Sequence, residues 1–270
     1  MSKLIVSASS MEHLYELLDM NINGVILSID KLSVNDSFYI GVDEIDKIDF
    51  KEKEVFVSLN KLMHNSDLEY LMEVMHKLKT KDVKIMFYDM AVYNIAKEYD
   101  MINKLVIMQD HLNASILSNK FYYNRGITGS FITSDITKDE LMEIKENSQM
   151  KIFFMVYGYA PIFYSRRYLV SNYLKFIDKN NDGNNYKILS DNGISYPINE
   201  EEYGTTIYTD RPINLINYLP ELDNIDYLVM KSNMVDSSEF NKMVLNFLDH
   251  KKIDNAYIGF FMTKTIYKVK

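Results

Sequence analysis

Cysteine is absent from all 270 residues, and this absence excludes more than any motif present. It rules out disulfides, thiolate nucleophiles, cysteine-type zinc sites and iron–sulfur clusters held by the chain's own thiolates. Tryptophan is missing too, while Lys, Asn, Ile and Tyr are abundant; that skew is compositional and carries no functional weight. Apolar runs fall well short of the ~18 residues that a membrane-spanning helix needs. The opening "MSKLIVSASS" has one lysine and a short apolar run, too little for a signal-peptide core. The sequence therefore predicts a cytoplasmic protein that does not enter a membrane. A basic surplus is also lacking: 30 Lys and Arg face 38 Asp and Glu, a net charge of −8. Affinity for a nucleic-acid backbone comes from clustered cations. That argues against the chain gripping a nucleic acid alone, unless a local basic patch or a basic partner reverses the balance.

What is present is a rhythm of strands and helices. The segments "KLIVSAS", "NGVILSI", "EVFVSLN", "VKIMFYD", "KLVIMQD", "ITGSFIT", "MKIFFMVYG" and "IDYLVMKS" are dense in large apolar residues without clean polar alternation. Strands buried on both faces of a parallel sheet look like this. Three helix starts are read as capping boxes: Ser9 with Glu12, Ser66 with Glu69, and Thr137 with Glu140. In the second of these helices, Leu68, Leu71, Met72, Met75 and Leu78 follow the period of one buried face. A closed TIM-type (β/α) barrel and an open doubly wound sheet both satisfy the alternation; the count of eight favours the barrel. One domain over residues 1–270 is the simplest account. Residues 178–209, rich in Asn, Asp and Gly, read as a β-hairpin insertion before the last unit, and residues 255–270 as a C-terminal strand.

Candidate functional residues follow from the barrel. "DKNNDG" (Asp178 to Gly183) begins like a calcium loop, but Leu189 stands where the bidentate Glu should be, so a polar hairpin loop is expected. His13, His76 and His250 lie in helical segments and are expected at the surface; His64 and His111 follow strand ends. Catalytic groups of a parallel barrel gather at the strand C-termini. On that rim the sequence places Asn60, Asp89, Gln109, Asp110, Asp135 and Lys231, although strand ends are also polar simply because strands leave the core there. The segment "YGYAPIFYSRRYLVSNY" breaks at Gly158 and Pro161 and brings Ser165, Arg166 and Arg167 to the same rim among aromatic faces. Arginine presents a planar fork suited to carboxylates and phosphates, and it stacks on rings. The plainer alternative is an internal salt bridge, for instance to an acid in "NEEEYG". One arginine is expected to be structural and the other to face a ligand or partner. The candidate set is Asn60, His64, Asp89, Gln109, Tyr157, Ser165, Arg166, Arg167 and Lys231, with no catalytic residue assigned and no metal site.

The strand, the Tyr157-Gly158 turn and the following "SRRYLVSNY" resemble the signature of the collagenase-like peptidases of family U32. Further pieces agree in order: "NGVILSIDKLSVN", "VFVSLNKLMHN", "YPINEEEYGTTIYTDRPINLINYLPEL" and "TIYKVK". The resemblance implies a TIM-type barrel and, despite the family name, a part in oxygen-independent hydroxylation. One branch forms 5-hydroxyuridine at the tRNA wobble position from prephenate; another hydroxylates the ubiquinone ring as a heterodimer. Active members hold an iron–sulfur cluster through signature cysteines. Here Tyr157-Gly158-Tyr159 stands for His-Gly-Ala, Ile162 or Phe163 falls where a cysteine is expected, and Arg166-Arg167 fall near Gly-Cys. The departure is similar to a cysteine-poor branch with a Ser-Arg-Arg signature that accompanies a longer, cysteine-bearing paralogue. The resemblance thus implies a chain that binds no cluster itself, with that paralogue as partner, prephenate as a possible ligand, and tRNA reached through the complex. A collagenase-like peptidase and a non-catalytic barrel binding a small carboxylate are the rival expectations.

Overall fold

The computed structural model describes residues 2–109, 112–180 and 186–264. In chain order the strands are β1 (Lys3–Ser7), β2 (Gly24–Ile29), β3 (Tyr39–Ile40), β4 (Glu54–Leu59), β5 (Lys84–Phe87), β6 (Leu105–Met108) and β7 (Gly129–Ile132). They continue with β8 (Lys151–Gly158), β9 (Pro161–Ser165), β10 (Tyr186–Leu189), β11 (Ser195–Glu201), β12 (Gly204–Tyr208), β13 (Ile213–Asn214) and β14 (Tyr227–Met230). The helices are α1 (Met11–Leu18), α2 (Leu68–Leu78), α3 (Met90–Glu98), α4 (Ile116–Tyr123), α5 (Lys138–Glu146), α6 (Leu169–Phe176) and α7 (Ser237–Leu248).

Each of the eight apolar segments becomes a strand. They pair in parallel in the ring order β1-β2-β4-β5-β6-β7-β8-β14, and β14 closes back onto β1 with Ile5 opposite Val229. This is a TIM-type barrel, with helices between the strands. Its lower interior is filled by rings from three strands. Phe153 stacks on Tyr227 at 4.3 Å between centroids, and Phe56 meets both edge-on at 5.5 and 5.3 Å. Gly129 makes room for them, since a Cβ there would lie 3.0 Å from the Phe153 ring.

Between β8 and β14 the chain builds a second, four-stranded antiparallel sheet in the order β10-β11-β12-β9. The hairpin of β11 and β12 lies in the expected insertion, but β9 joins it from before α6 and pairs with β12. Asn181 to Asn185, and with them half of "DKNNDG", lie outside the described residues. At the C-terminus, Asn255 to Lys264 form turns with no strand, against expectation, and residues 265–270 lie outside the described residues.

Several local expectations are corrected. The cap of α1 is Ser10, not Ser9: its side chain accepts from the His13 N–H. α2 is entered through a short 3-10 turn in which the His64 N–H donates to Asp67, so Ser66 and Glu69 form no box. Its buried face uses Val74 rather than Met72, which is exposed. Thr137 and Glu140 do form the box opening α5. His13 is 2% exposed rather than superficial, held by Ser9 and Asn241 at 2.8 and 2.9 Å and packed edge-on against Phe240. Burial lowers its pKa, against the opposing pull of Asn241, Glu16 and Asp236.

The end of β8 depends on one backbone conformation. Gly158 has φ +129°, and a Cβ there would meet the Lys231 carbonyl oxygen at 2.6 Å. Gly158→Ala is expected to lose about 2–3 kcal/mol of stability through backbone strain and displacement of β14. Urea unfolding should show a lower midpoint with an unchanged m-value.

Candidate functional site at the barrel mouth

The strand C-termini of the barrel are covered by the antiparallel sheet, which is tied down at several points. Tyr39, in the loop and short strand beyond β2, donates to Glu201 of β11 at 3.1 Å and accepts from the Asp36 N–H. Thr206 and Tyr208 of β12 both reach Asn35. Arg166, just past β9, donates to the Leu62 carbonyl at 2.8 Å and pairs with Asp67 at 3.4 Å. Lys61, fully buried, binds the other Asp67 oxygen at 3.1 Å and stands 4.3 Å over the Tyr203 ring.

At the centre lies Lys231, at the end of β14. Its ammonium is buried and bound to Asp36 Oδ1 at 2.9 Å; Ser28 of β2 donates to Asp36 Oδ2 at 2.5 Å. Two charges withdrawn from water need each other and further hydrogen bonds. Asp36 receives them from Ser28, a strand residue inside the ring. Beside the pair is a cavity of about 10 Å³, bounded by Asn35, Phe131, Met155, Tyr159, Pro161, Lys231 and Asn233. That is space for a single water. Asn233 is buried and its Oδ1 has no hydrogen-bond partner, so a donor placed in this cavity would satisfy it. Glu201 has a raised pKa because of burial, partly offset by its bond from Tyr39.

The predicted residues do not gather at one place. Lys231 sits at the centre of the mouth. Asn60, His64, Asp89 and Arg166 converge on the loop between β4 and α2, where most act on backbone. Asn60 exchanges two hydrogen bonds with Val34, and Asp89 caps α3 while accepting from the Met63 N–H. His64 is exposed, and its N–H donates to Asp67. Ser165 accepts from the Arg167 N–H, and the Arg167 side chain is exposed. Gln109 turns instead to Tyr122 of α4. Tyr157 points away from the mouth. A register shift between β8 and β14 reverses the alternation after Met155, so the Tyr157 ring packs outside the barrel against Phe240 and Phe247 of α7. Burial there pushes its pKa up to about 12. Asp135 is exposed; Asp110 and His111 lie outside the described residues.

Asp36, Tyr39, Lys61, Asp67, Asn233 and Glu201 were not foreseen. Lys61 carried a sequence cue, since it follows a strand end as Lys231 does. Asp67 carried none, because its partner Arg166 is distant in the chain.

A family model described as Peptidase family U32 matches residues 10–259. The chain belongs to peptidase family U32. It is also similar to tRNA hydroxylation protein P2 of Bacillus subtilis (strain 168), with 28% identity over 177 residues. The match covers 63% of this chain and 57% of that protein, so it spans little more than half of the relative. A cysteine-held cluster is not fitted by the residues present: Ile162 and Phe163 are apolar side chains on β9, and Arg166 is bound to Leu62 and Asp67. Among the described residues no group of three or more His, Asp or Glu is arranged to hold a metal, and no helix is long and apolar enough to cross a membrane.

The Lys231–Asp36 pair makes a thermodynamic cycle. Lys231→Met or Asp36→Leu alone leaves one buried charge unpaired and should cost about 3–5 kcal/mol, whereas the double variant should recover most of that loss in denaturant unfolding. Asp67 gives a pH-dependence. Burial acts to raise its pKa, but the His64 N–H, Lys61 and Arg166 outweigh it and hold the carboxyl below its usual value. Its contribution is therefore present above the ordinary carboxylate pKa and is lost as pH falls through the lowered one. Asp67→Asn should flatten that acid limb in thermal melts taken across the window.

Proposed function

We propose that this chain is a subunit without its own cluster in prephenate-dependent 5-hydroxylation of the tRNA wobble uridine, acting in the cytoplasm with a cysteine-bearing paralogue of the same family. The observation that carries this reading is the similarity to a tRNA hydroxylation protein within a family-wide match. The state of the mouth supports an accessory role. Its central ammonium is neutralised by Asp36, and the remaining space is about 10 Å³, far below the roughly 300 Å³ at which small-molecule pockets begin. A carboxylate gripped by Lys231 would first have to displace Asp36. Ser165, the hydroxyl nearest the signature arginines in sequence, is engaged by a backbone N–H, which does not activate it as a peptidase nucleophile.

Deletion of the gene tests the proposal. Nucleoside analysis of bulk tRNA should show loss of 5-hydroxyuridine, restored by the wild-type chain, and the tagged chain should co-purify with a cysteine-bearing relative. Unchanged 5-hydroxyuridine in the deletion strain would refute it.

A further inference from the structure

The family match does not account for the face made by α6 and β10. A helix packed on a sheet normally buries its aromatic side chains. α6 buries Val170 and Leu174 but leaves Tyr173 62% and Phe176 86% exposed. These two rings stand one turn apart, on the same side of the helix. Below Tyr173, between helix and sheet, runs an open groove of about 440 Å³ whose lining includes Leu169, Tyr173, Tyr186, Lys187 and Ile188. Ile188 and Leu189 of β10 are exposed as well.

The chain segment that carries these rings has a charge opposite to that of the protein. From Arg167 to Leu189 there are four basic residues and two acidic ones, in a chain of net charge −8. Arg167, Lys175 and Lys187 are all exposed. The acids are Asp178, beyond the end of the helix, and Asp182. Glu200, the carboxylate beneath the start of α6, is already taken by the Val170 and Ser171 N–H groups. The face thus combines rings free for stacking with cations beside them and a slot roomy enough for an unstacked base. Unpaired nucleic acid is recognised in this way, by aromatic platforms for bases and lysines for the backbone. A purely apolar protein interface would not need the reversed charge.

We infer that the α6–β10 face binds unpaired RNA, with bases stacking on Tyr173 and Phe176, one base entering the groove, and phosphates meeting Arg167, Lys175 and Lys187. That the RNA is a tRNA anticodon loop rests on the functional proposal above; the binding mode itself rests on the face.

The test is fluorescence anisotropy of the full chain with a labelled anticodon stem-loop, and with a blunt RNA duplex as control. The stem-loop should bind more tightly than the duplex. Replacing both exposed rings, Tyr173→Ala with Phe176→Ala, should weaken stem-loop binding about ten-fold or more. Lys175→Glu with Lys187→Glu should weaken it and reduce its salt dependence. All four side chains are solvent-facing, so melting temperatures should stay near wild type. The inference is overturned by no binding of the stem-loop, by equal binding of the duplex, or by ring variants with wild-type RNA affinity. Ring variants that keep RNA affinity but lose a co-purifying protein would assign the face to a protein partner instead. The two proposals fail separately. Ring-dependent RNA binding with intact 5-hydroxyuridine after gene deletion removes the functional proposal and leaves this face standing. Lost 5-hydroxyuridine without RNA binding does the reverse.

Discussion

A buried ammonium at the end of β14 governs much of what lies above the barrel. Lys231 leaves the core where it is buried beneath the covering sheet, so it needs a carboxylate within hydrogen-bonding distance. Asp36 supplies it; Ser28 donates to its carboxylate and its N–H donates to the Tyr39 hydroxyl. The loop between β2 and β3 is thereby fixed over the mouth. That loop in turn offers Tyr39 and Asn35 to the insertion sheet. The covering sheet is therefore docked on polar contacts rather than on a second hydrophobic core. Its own apolar cluster, Val170, Leu174 and Ile198, is small and separate from that of the barrel.

A second anchor, formed by Lys61, Asp67 and Arg166, has the same logic with a different chemistry. Asp67 accepts from two cations and a backbone N–H at once, so one carboxylate ties the β4–α2 loop to the strand after Gly158. The signature arginine is half committed to backbone, through the Leu62 carbonyl. Both contacts come from one terminal nitrogen, Nη1, which bridges the Leu62 carbonyl and the Asp67 carboxylate.

The barrel was legible in the sequence because its determinants are local. Strands buried on both faces must be continuously apolar over a few residues, and all eight were readable on that ground. The Thr137 box was readable because both partners lie within one turn. What escaped notice was either non-local or dependent on parity. Arg166 finds Asp67 rather than an acid of "NEEEYG" because folding brings a loop from the third barrel strand beneath it. Tyr157 was chosen for its place in the signature and among the aromatic faces, with no account of which way it points; a single shift in register turns it outward. His13 looked like an ordinary surface residue of a helix until α7 covered it with Phe240 and Asn241. β9 was hidden because an edge strand of an antiparallel sheet needs only half its residues buried.

The same split between ring and insertion bears on how an acidic chain could take part in RNA chemistry. In the barrel, lysines at the mouth are spent on internal carboxylates, which leaves little cationic surface there for a phosphate backbone. The segment from β9 through β10 keeps Arg167, Lys175 and Lys187 exposed along with the Tyr173 and Phe176 rings. Electrostatic attraction falls off over about 10 Å at moderate salt, so a local basic stripe can act on RNA despite a net charge of −8 for the whole chain. Division of labour follows from that geometry. The barrel, with its mouth held by ion pairs, serves as the rigid support, and the sheet and helix laid over it carry the exposed rings and cations.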